Sequence, residues 1–378
     1  MTKPFTISKH IVMKAYKLVK ANKGAAGVDQ QSLEDFDKDL KNNLYKLWNR
    51  MSSGSYIPPP VKAVPIPKKQ GGERILGVPC VSDRIAQMVV RLEFEPVVEP
   101  LFHPNSYGYR PNKSALDAVA ITRQRCWRYN WVLEFDIKGL FDNIDWELLL
   151  KAVRKHTDNK WVILYIERWL KAPLQLPDGT LVERTKGTPQ GSVISPVLSN
   201  LFLHYVFDVW MSKNHPTTPF CRYADDGLVH CQTQEEAQQM LKKLEQRFKE
   251  CELELHPTKT KIVYCKFVGF NPAVSKTAVN AMRAEIRRTG FRNRTDLSLK
   301  EIADRFNPVL RGWLEYYGRF NPSSMHQVLR HFNQTLVRWA MRKYDKFEGH
   351  KRRANEFIVQ IAQREPTLFE HWKRGMVP

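Results

Sequence analysis

Apolar residues recur at helical spacing from Ile7 to Lys20 and again beyond Ser82 and Ser114, so helices are expected in all three places. Pro58-Pro59-Pro60 breaks the pattern, and Gly71-Gly72 marks the tip of a hairpin. The period then shortens. Trp131-Val132-Leu133-Glu134-Phe135-Asp136-Ile137 is a β-prone run, followed by helical stretches at Trp146 to His156, Trp161 to Leu170 and Glu235 to Cys251. Strands alternating with helices predict a mixed α/β layer to about residue 270. From Thr277 onward the period is helical throughout, clearest at Met282 to Arg288, Leu299 to Tyr317 and Met325 to Tyr344. At 378 residues the chain exceeds one typical core, and two to three subdomains are expected.

The first candidate chemistry is Tyr223-Ala224-Asp225-Asp226, followed by the apolar Leu228 and Val229. In a strand–turn–strand hairpin the turn aims neighbouring carboxylates at one point, where hard cations need oxygen ligands. A lone Asp-Asp pair is as readily a solvated turn. A third carboxylate is therefore needed, and Asp136 supplies it at the end of the β-prone run. If that strand pairs with the hairpin, three carboxylates converge and can chelate two magnesium ions about 4 Å apart. Phe141 then faces a substrate sugar and excludes a 2′-hydroxyl by contact, or is an ordinary core aromatic.

Between the acidic segments, Lys186-Gly187-Thr188-Pro189-Gln190-Gly191 turns rigidly into the apolar stretch Ser192 to Leu203. The glycines let backbone approach a base or phosphate closely, and Gln190 offers both a donor and an acceptor. Ser195 reads as the cap of the following helix, with Pro196 at its first position.

The order of the Asp136 segment, Thr188-Pro189-Gln190-Gly191, Tyr223-Ala224-Asp225-Asp226 and Lys259-Thr260-Lys261 resembles the bacterial group II intron reverse transcriptase–maturases. Asn22 to Asp29, Ile66 to Pro79 and Ser106 to Pro111 resemble that family's fingers, and Asn307 to Phe320 its thumb, the maturase or X domain. The resemblance implies an α+β right-hand polymerase, with fingers over 1–135, palm over 136–270 and a C-terminal helical thumb over 271–378. It implies Asp136, Asp225 and Asp226 as catalytic ligands of two Mg2+ ions, or Mn2+, with the carbonyl of Ile137 completing the cage. Phe141 becomes the sugar gate. Lys68 or Lys69 and Arg74 meet the incoming triphosphate, Gln190 lines the nucleotide pocket, and Lys259 approaches the phosphates. Lys68, Lys69 and Arg74 also read as a solvated hairpin tip. One departure stands out: Phe267-Val268-Gly269-Phe270 follows the Lys-Thr-Lys stretch almost at once, where the family has a longer segment gripping the primer end. It is a compressed turn or the scar of an internal deletion, and the spacing favours deletion.

Charge supports a nucleic-acid partner. The chain has 60 Lys+Arg against 39 Asp+Glu, a formal net charge of +21, and such an excess neutralises phosphates and releases counterions. Arg287, Arg288, Arg292, Arg294, Arg311, Arg338, Arg342, Arg352 and Arg353 are the candidate RNA ligands, with Trp313, Tyr316, Tyr317, Phe320 and Trp339 interleaved. The six cysteines, Cys80, Cys126, Cys221, Cys231, Cys251 and Cys265, form no close pair in sequence, so neither a zinc site nor a disulfide framework is expected and a reducing, cytoplasmic setting follows. No apolar run spans a membrane, no secretory leader is expected at Met1-Thr2-Lys3-Pro4, and with no cysteine after Cys265 no zinc-bound endonuclease is expected. The resulting expectation is an RNA-directed DNA polymerase that also holds intron RNA to assist splicing, its partners being that RNA, an RNA template with DNA primer, and deoxynucleoside triphosphates. A maturase with a decayed polymerase site and a reverse transcriptase domesticated in phage defence are the alternatives.

Overall fold

Local chemistry sets the first helices. Ser8 accepts from His10 N and starts α1 (Lys9–Asn22), and a capping box between Ser32 and Asp35 starts α2 (Leu33–Lys38). An amphipathic α3 (Leu40–Ser52) follows, burying Leu44, Leu47 and Met51. Strands β1 (Val61–Pro67) and β2 (Glu73–Val78) then form the expected hairpin, pairing antiparallel out to Pro67↔Glu73. The computed structural model describes residues 3–67, 72–265 and 274–378. Lys68 and Lys69, and the stretch Phe267 to Phe270, lie outside the described residues.

Beyond the hairpin, α4 (Val81–Val98) is largely buried, its polar Asp83, Arg84 and Gln87 included. A second capping box, Ser114 with Asp117, starts α5 (Ala115–Cys126). There follow β3 (Trp131–Asp136), the short α6 (Leu140–Asn143), α7 (Trp146–His156) and α8 (Lys160–Lys171), then the two-residue strands β4 (Leu174–Gln175) and β5 (Leu181–Val182). Next, α9 (Ser195–Leu203) runs through a π-helical turn at His204–Asp208 into α10 (Val209–Asn214). The unit closes with β6 (Phe220–Tyr223), β7 (Asp226–Cys231), α11 (Gln234–Glu250) and β8 (Lys261–Tyr264).

Among the described residues two sheets result, ordered β2-β1-β4-β5 and β6-β7-β3-β8. The second carries the three aspartates. Its centre packs Phe135 against Phe207 and Phe248, ring centroids 5.0 and 5.7 Å apart. Gly227 sits opposite Phe135 in register. A Cβ there would lie 2.0 Å from the Phe135 ring, so only glycine lets that ring cross the neighbouring strand.

The chain packs as two units, Met1–Phe267 and Val268–Pro378. The second consists of α12 (Lys276–Arg288), α13 (Leu299–Tyr316), α14 (His326–Lys343) and α15 (Lys351–Arg364). Phe291, Phe306 and Phe332 meet edge to face or tilted at 4.9 to 5.5 Å in its core. Of the rings interleaved with arginines, Trp339 is fully buried and belongs to this core, while Tyr316 is 52% exposed. Among the described residues no helix is long and apolar enough to cross a membrane. All six cysteines are free and buried. The fold brings together one pair that the sequence separates, Cys126 and Cys265, their sulfurs 3.5 Å apart. Burial pushes the Cys126 thiol up to about 12, which keeps it protonated and unreactive.

Candidate active site

Strands β3 and β7 pair antiparallel with Asp136 directly opposite Asp226. Opposed residues in such a pair place their Cβ atoms about 4.5–5.5 Å apart on one face. Two residues join β6 to β7, Tyr223 pairing with Asp226, and Ala224 takes the left-handed conformation at φ 55°. Asp225 follows it in the turn, beside the opposed pair. Asp136 is only 8% exposed. Burial raises the Asp225 carboxyl above its ordinary range, and the Asp136 charge adds to this. Burial first, and then the charges of Asp225 and Asp136, push Asp226 up to about 6. The charge of Asp136 thus opposes the ionisation of both Asp225 and Asp226, and cationic charge relieves the conflict. Lys259 supplies some of it, with Nζ 2.9 Å from Asp136 Oδ2, a hydrogen bond that raises its own pKa. Among the described residues no group of three acidic, histidine or cysteine side chains closes into a ready-made ion cage. The donor set nevertheless consists of hard carboxylate oxygens and fits a magnesium-like ion. Ile137 bridges Leu255 through Lys138 N donating to Glu254 O and His256 N donating to Asp136 O. That pattern turns the peptide groups of Ile137 itself away from Leu255.

Residues without an evident role in the sequence prop the turn from behind. Arg222 donates from Nε and Nη2 to Asp208 at 2.8 and 2.7 Å, both side chains fully buried. Its Nη1 donates to the carbonyl of Ala224 and to Asn200 Oδ1, each at 3.1 Å. Asn200 in turn donates to the carbonyl of Gly108 at 2.8 Å. A Cβ on Gly108 would stand 2.3 Å from Ala224 N, so backbone packs directly on the turn. The one signal for this support was an arginine inside the otherwise apolar lead Phe220-Cys221-Arg222-Tyr223.

A cleft of about 1290 Å³ opens beside the turn. Asp136, Ile137, Asp225, Phe141, Gln190, Arg74 and Lys259 all line it. Phe141 is half-buried and meets Tyr109 edge to face at 6.2 Å. Its carbonyl accepts from Thr188 N at 2.6 Å, so the loop bearing Gln190 and the helix bearing Phe141 are tied together. Gly187, at φ 78°, permits that approach: a Cβ there would meet the Phe141 carbonyl at 2.6 Å. Ser195 is not the cap of α9. Ile194 occupies the cap position, without a side-chain bond, and Ser195 Oγ instead lies 2.6 Å from Thr188 Oγ1. The loop outcompetes the helix end for that hydroxyl.

Beneath the cleft, Asp83 on α4 is 1% exposed and accepts from Tyr56 Oη at 2.8 Å and Trp169 Nε1 at 2.7 Å. Burial raises its carboxyl to about 6, against the pull of its hydrogen bonds. The folded chain therefore holds this proton more tightly than the unfolded chain. The stability it contributes is complete below about pH 4 and is lost as pH rises through about 6. Asparagine has no such proton. The stability deficit of Asp83→Asn is expected to shrink between pH 4 and 7, by up to about 3 kcal/mol, in urea unfolding of both proteins. Parallel pH profiles would show that Asp83 titrates normally.

In the second unit the nine candidate arginines are all exposed. Arg288, Arg294, Arg311 and Arg352 are ion-paired with Glu285, Asp296, Glu370 and Glu356. Arg287, Arg292, Arg338, Arg342 and Arg353 carry no ion pair among the described residues. Burial lowers the pKa of His331 on α14, and the charges of Arg283, Arg287 and Arg338 lower it further.

The profile of the reverse transcriptase (RNA-dependent DNA polymerase) family matches residues 66–272, more than half of the chain. The chain belongs to that family. A second profile, the group II intron maturase-specific domain, matches residues 279–356. Protein YkfC of Escherichia coli is 32% identical over 252 residues, a match covering 57% of this chain and 66% of YkfC. Group II intron-encoded protein LtrA of Lactococcus lactis is 33% identical over 193 residues, covering 50% of this chain and 32% of LtrA. The chain thus spans less than two thirds of either relative. A solved telomerase from Candida albicans, in complex with a fragment of telomeric RNA, aligns at 12% identity and a TM-score of 0.46, over 91% of this chain and 68% of that one. The order of the chain is therefore a reverse transcriptase region followed by a maturase domain, homologous to group II intron-encoded proteins. Reverse transcriptases as a family use divalent metals.

Proposed function

We propose that this protein copies RNA into DNA and, through its C-terminal domain, binds intron RNA to assist splicing. In this reading residues 1–135 are fingers, 136–270 palm and 271–378 thumb. The observation that carries it is the opposition of Asp136 and Asp226 beside Asp225, at the edge of a cleft that Phe141, Gln190 and Arg74 also line. Asp136, Asp225, Asp226 and the Ile137 carbonyl would hold two Mg2+ or Mn2+ ions, whose charge would favour ionisation of the primer hydroxyl and stabilise the leaving diphosphate. Phosphoryl transfer otherwise asks a protein for positioning and for cations where negative charge accumulates. Arg74, with Lys68 or Lys69, would meet the triphosphate from the hairpin, and Lys259 from the opposite side. Gln190 would orient the nucleotide, and the ring of Phe141, its backbone tied to Thr188 and its edge against Tyr109, would close the space a 2′-hydroxyl needs. Arg287, Arg292, Arg338, Arg342 and Arg353 are free to meet RNA phosphates, while Arg288, Arg294, Arg311 and Arg352 would first exchange an acidic partner. Splicing assistance is then a binding function, stabilising the folded ribozyme by differential affinity.

The test is extension of a DNA primer on an RNA template with magnesium and deoxynucleotides. DNA product supports the polymerase; RNA binding without any product would leave a maturase alone. Replacing Phe141 with Ala is expected to reduce discrimination against ribonucleotides by at least about tenfold, measured as the ratio of kcat/KM values, since contact with a single group is worth that much. An unchanged ratio would return Phe141 to the role of core aromatic.

A further inference from the structure

Helix α4 carries two buried polar side chains one turn apart, Asp83 and Gln87, each 1% exposed. Gln87 Nε2 donates to Asp83 Oδ2 at 2.9 Å. The other carboxylate oxygen is occupied by Tyr56 and Trp169, so the aspartate is anchored from two further elements. The Gln87 amide is thereby fixed in one orientation, its donor end spent on Asp83 and its acceptor end aimed at the loop after Gln190. There Oε1 accepts from Ser192 Oγ at 2.5 Å and from Val193 N at 2.8 Å.

The opposite side of the same loop is held by β2. Gly77 N donates to the carbonyl of Gln190 at 2.7 Å. Gly191 adopts φ 102°, and a Cβ there would lie 2.6 Å from the Gly77 carbonyl. Gln190 is therefore carried on a short turn clamped between β2 and the Gln87 amide. Removing one clamp frees the turn on that side only.

We propose that Gln87 is a positioning residue of the nucleotide pocket, pinning Ser192 and Val193 so that Gln190 is held at the height where it meets the incoming nucleotide. The kinetic consequence rests on the polymerase reading; the pinning itself does not. Gln87→Met removes both polar ends at nearly constant volume, and Ser192→Ala removes a single bond. Two measurements decide the matter: hydrogen exchange over residues 188–194, and primer extension resolved into KM for deoxynucleotide and kcat. In Gln87→Met, exchange at the Val193 amide should accelerate at least tenfold and KM should rise about tenfold, the worth of one or two net hydrogen bonds. Template-primer affinity and kcat should stay within about threefold, a split that mere loss of stability does not produce. Ser192→Ala should move KM the same way by less, and the double variant should be no worse than Gln87→Met. Unchanged Val193 exchange, or unchanged KM in a variant that still extends primers, overturns the proposal. If Gln87→Met does not fold, an unchanged KM in Ser192→Ala does so instead. A wild-type protein that extends no primer removes the polymerase reading, and Val193 exchange then settles the pinning alone.

Discussion

Asp225→Asn is expected to reduce RNA-templated DNA synthesis by about three orders of magnitude or more, while affinity for RNA stays within about twofold. The size follows from the chemistry asked of the site. Charge stabilisation by bound divalent ions is worth several kcal/mol, and each 1.36 kcal/mol of barrier is tenfold in rate, so losing a ligand worth about 4 kcal/mol costs about 10³. Asparagine preserves the shape of the side chain. The left-handed Ala224 and its support by Arg222 and Gly108 should therefore remain. The substitution also removes a negative charge from a crowded group, which relaxes Asp226 toward its ordinary pKa; any folding change should be neutral or favourable. RNA affinity is assigned to arginines in the other unit, each exposed. Primer extension and a filter-binding titration at fixed salt check both halves. Extension above about a tenth of wild type would remove Asp225 from the metal site, and a parallel fall in RNA affinity would refute the separation of the two functions.

Elements built on their own periodicity were legible in advance. Helix α7 begins and ends where its apolar spacing says, and α13 and α14 end within a residue of expectation, because each has one broad apolar face and a sharp change of composition at its ends. What the sequence hid was pairing. Strands β4 and β5 are two residues long, too short for any alternation, and exist because β1 offers a parallel edge. The register that opposes Asp136 to Asp226 is a property of two strands ninety residues apart, although each strand was recognisable by itself. Helix α15 buries only Ala354, Ile358, Ile361 and Ala362 within a strongly charged segment, so its pattern was faint. The arginines illustrate a different blindness. Composition shows the excess of positive charge, but not that Arg288 and Arg352 are paired one helical turn away within α12 and α15, Arg294 across a local turn, and Arg311 through packing onto Glu370. The positions proposed to bear chemistry were thus visible as motifs, whereas the residues that hold them in place were not.

Arg222 and Asp208 are the strongest case, and Asp208→Asn is expected to destabilise the first unit by about 3–5 kcal/mol, the cost of leaving one buried charge without its partner. Both side chains are inaccessible to water, and the two carboxylate oxygens of Asp208 each accept from the guanidinium at 2.8 and 2.7 Å. Among the described residues no other carboxylate is ion-paired with Arg222. His204 Nδ1 is 3.9 Å away, and burial holds that histidine below its usual pKa, hence neutral. Such a loss is a large part of the roughly 5–15 kcal/mol that stabilises a typical domain. It should appear as a lower urea midpoint. Replacing both members, Asp208→Asn with Arg222→Met, removes the stranded charge and should restore at least half of the stability. Activity should not follow stability back. The double variant lacks the Nη1 donor to the carbonyl of Ala224, so the turn that carries Asp225 loses its brace, and small displacements of reacting groups cost rate steeply. Recovery of stability together with full recovery of primer extension would show that the pair serves folding alone. A cost below about 1 kcal/mol for Asp208→Asn would place the pair among surface-like ion pairs and undo the account of how the turn is held.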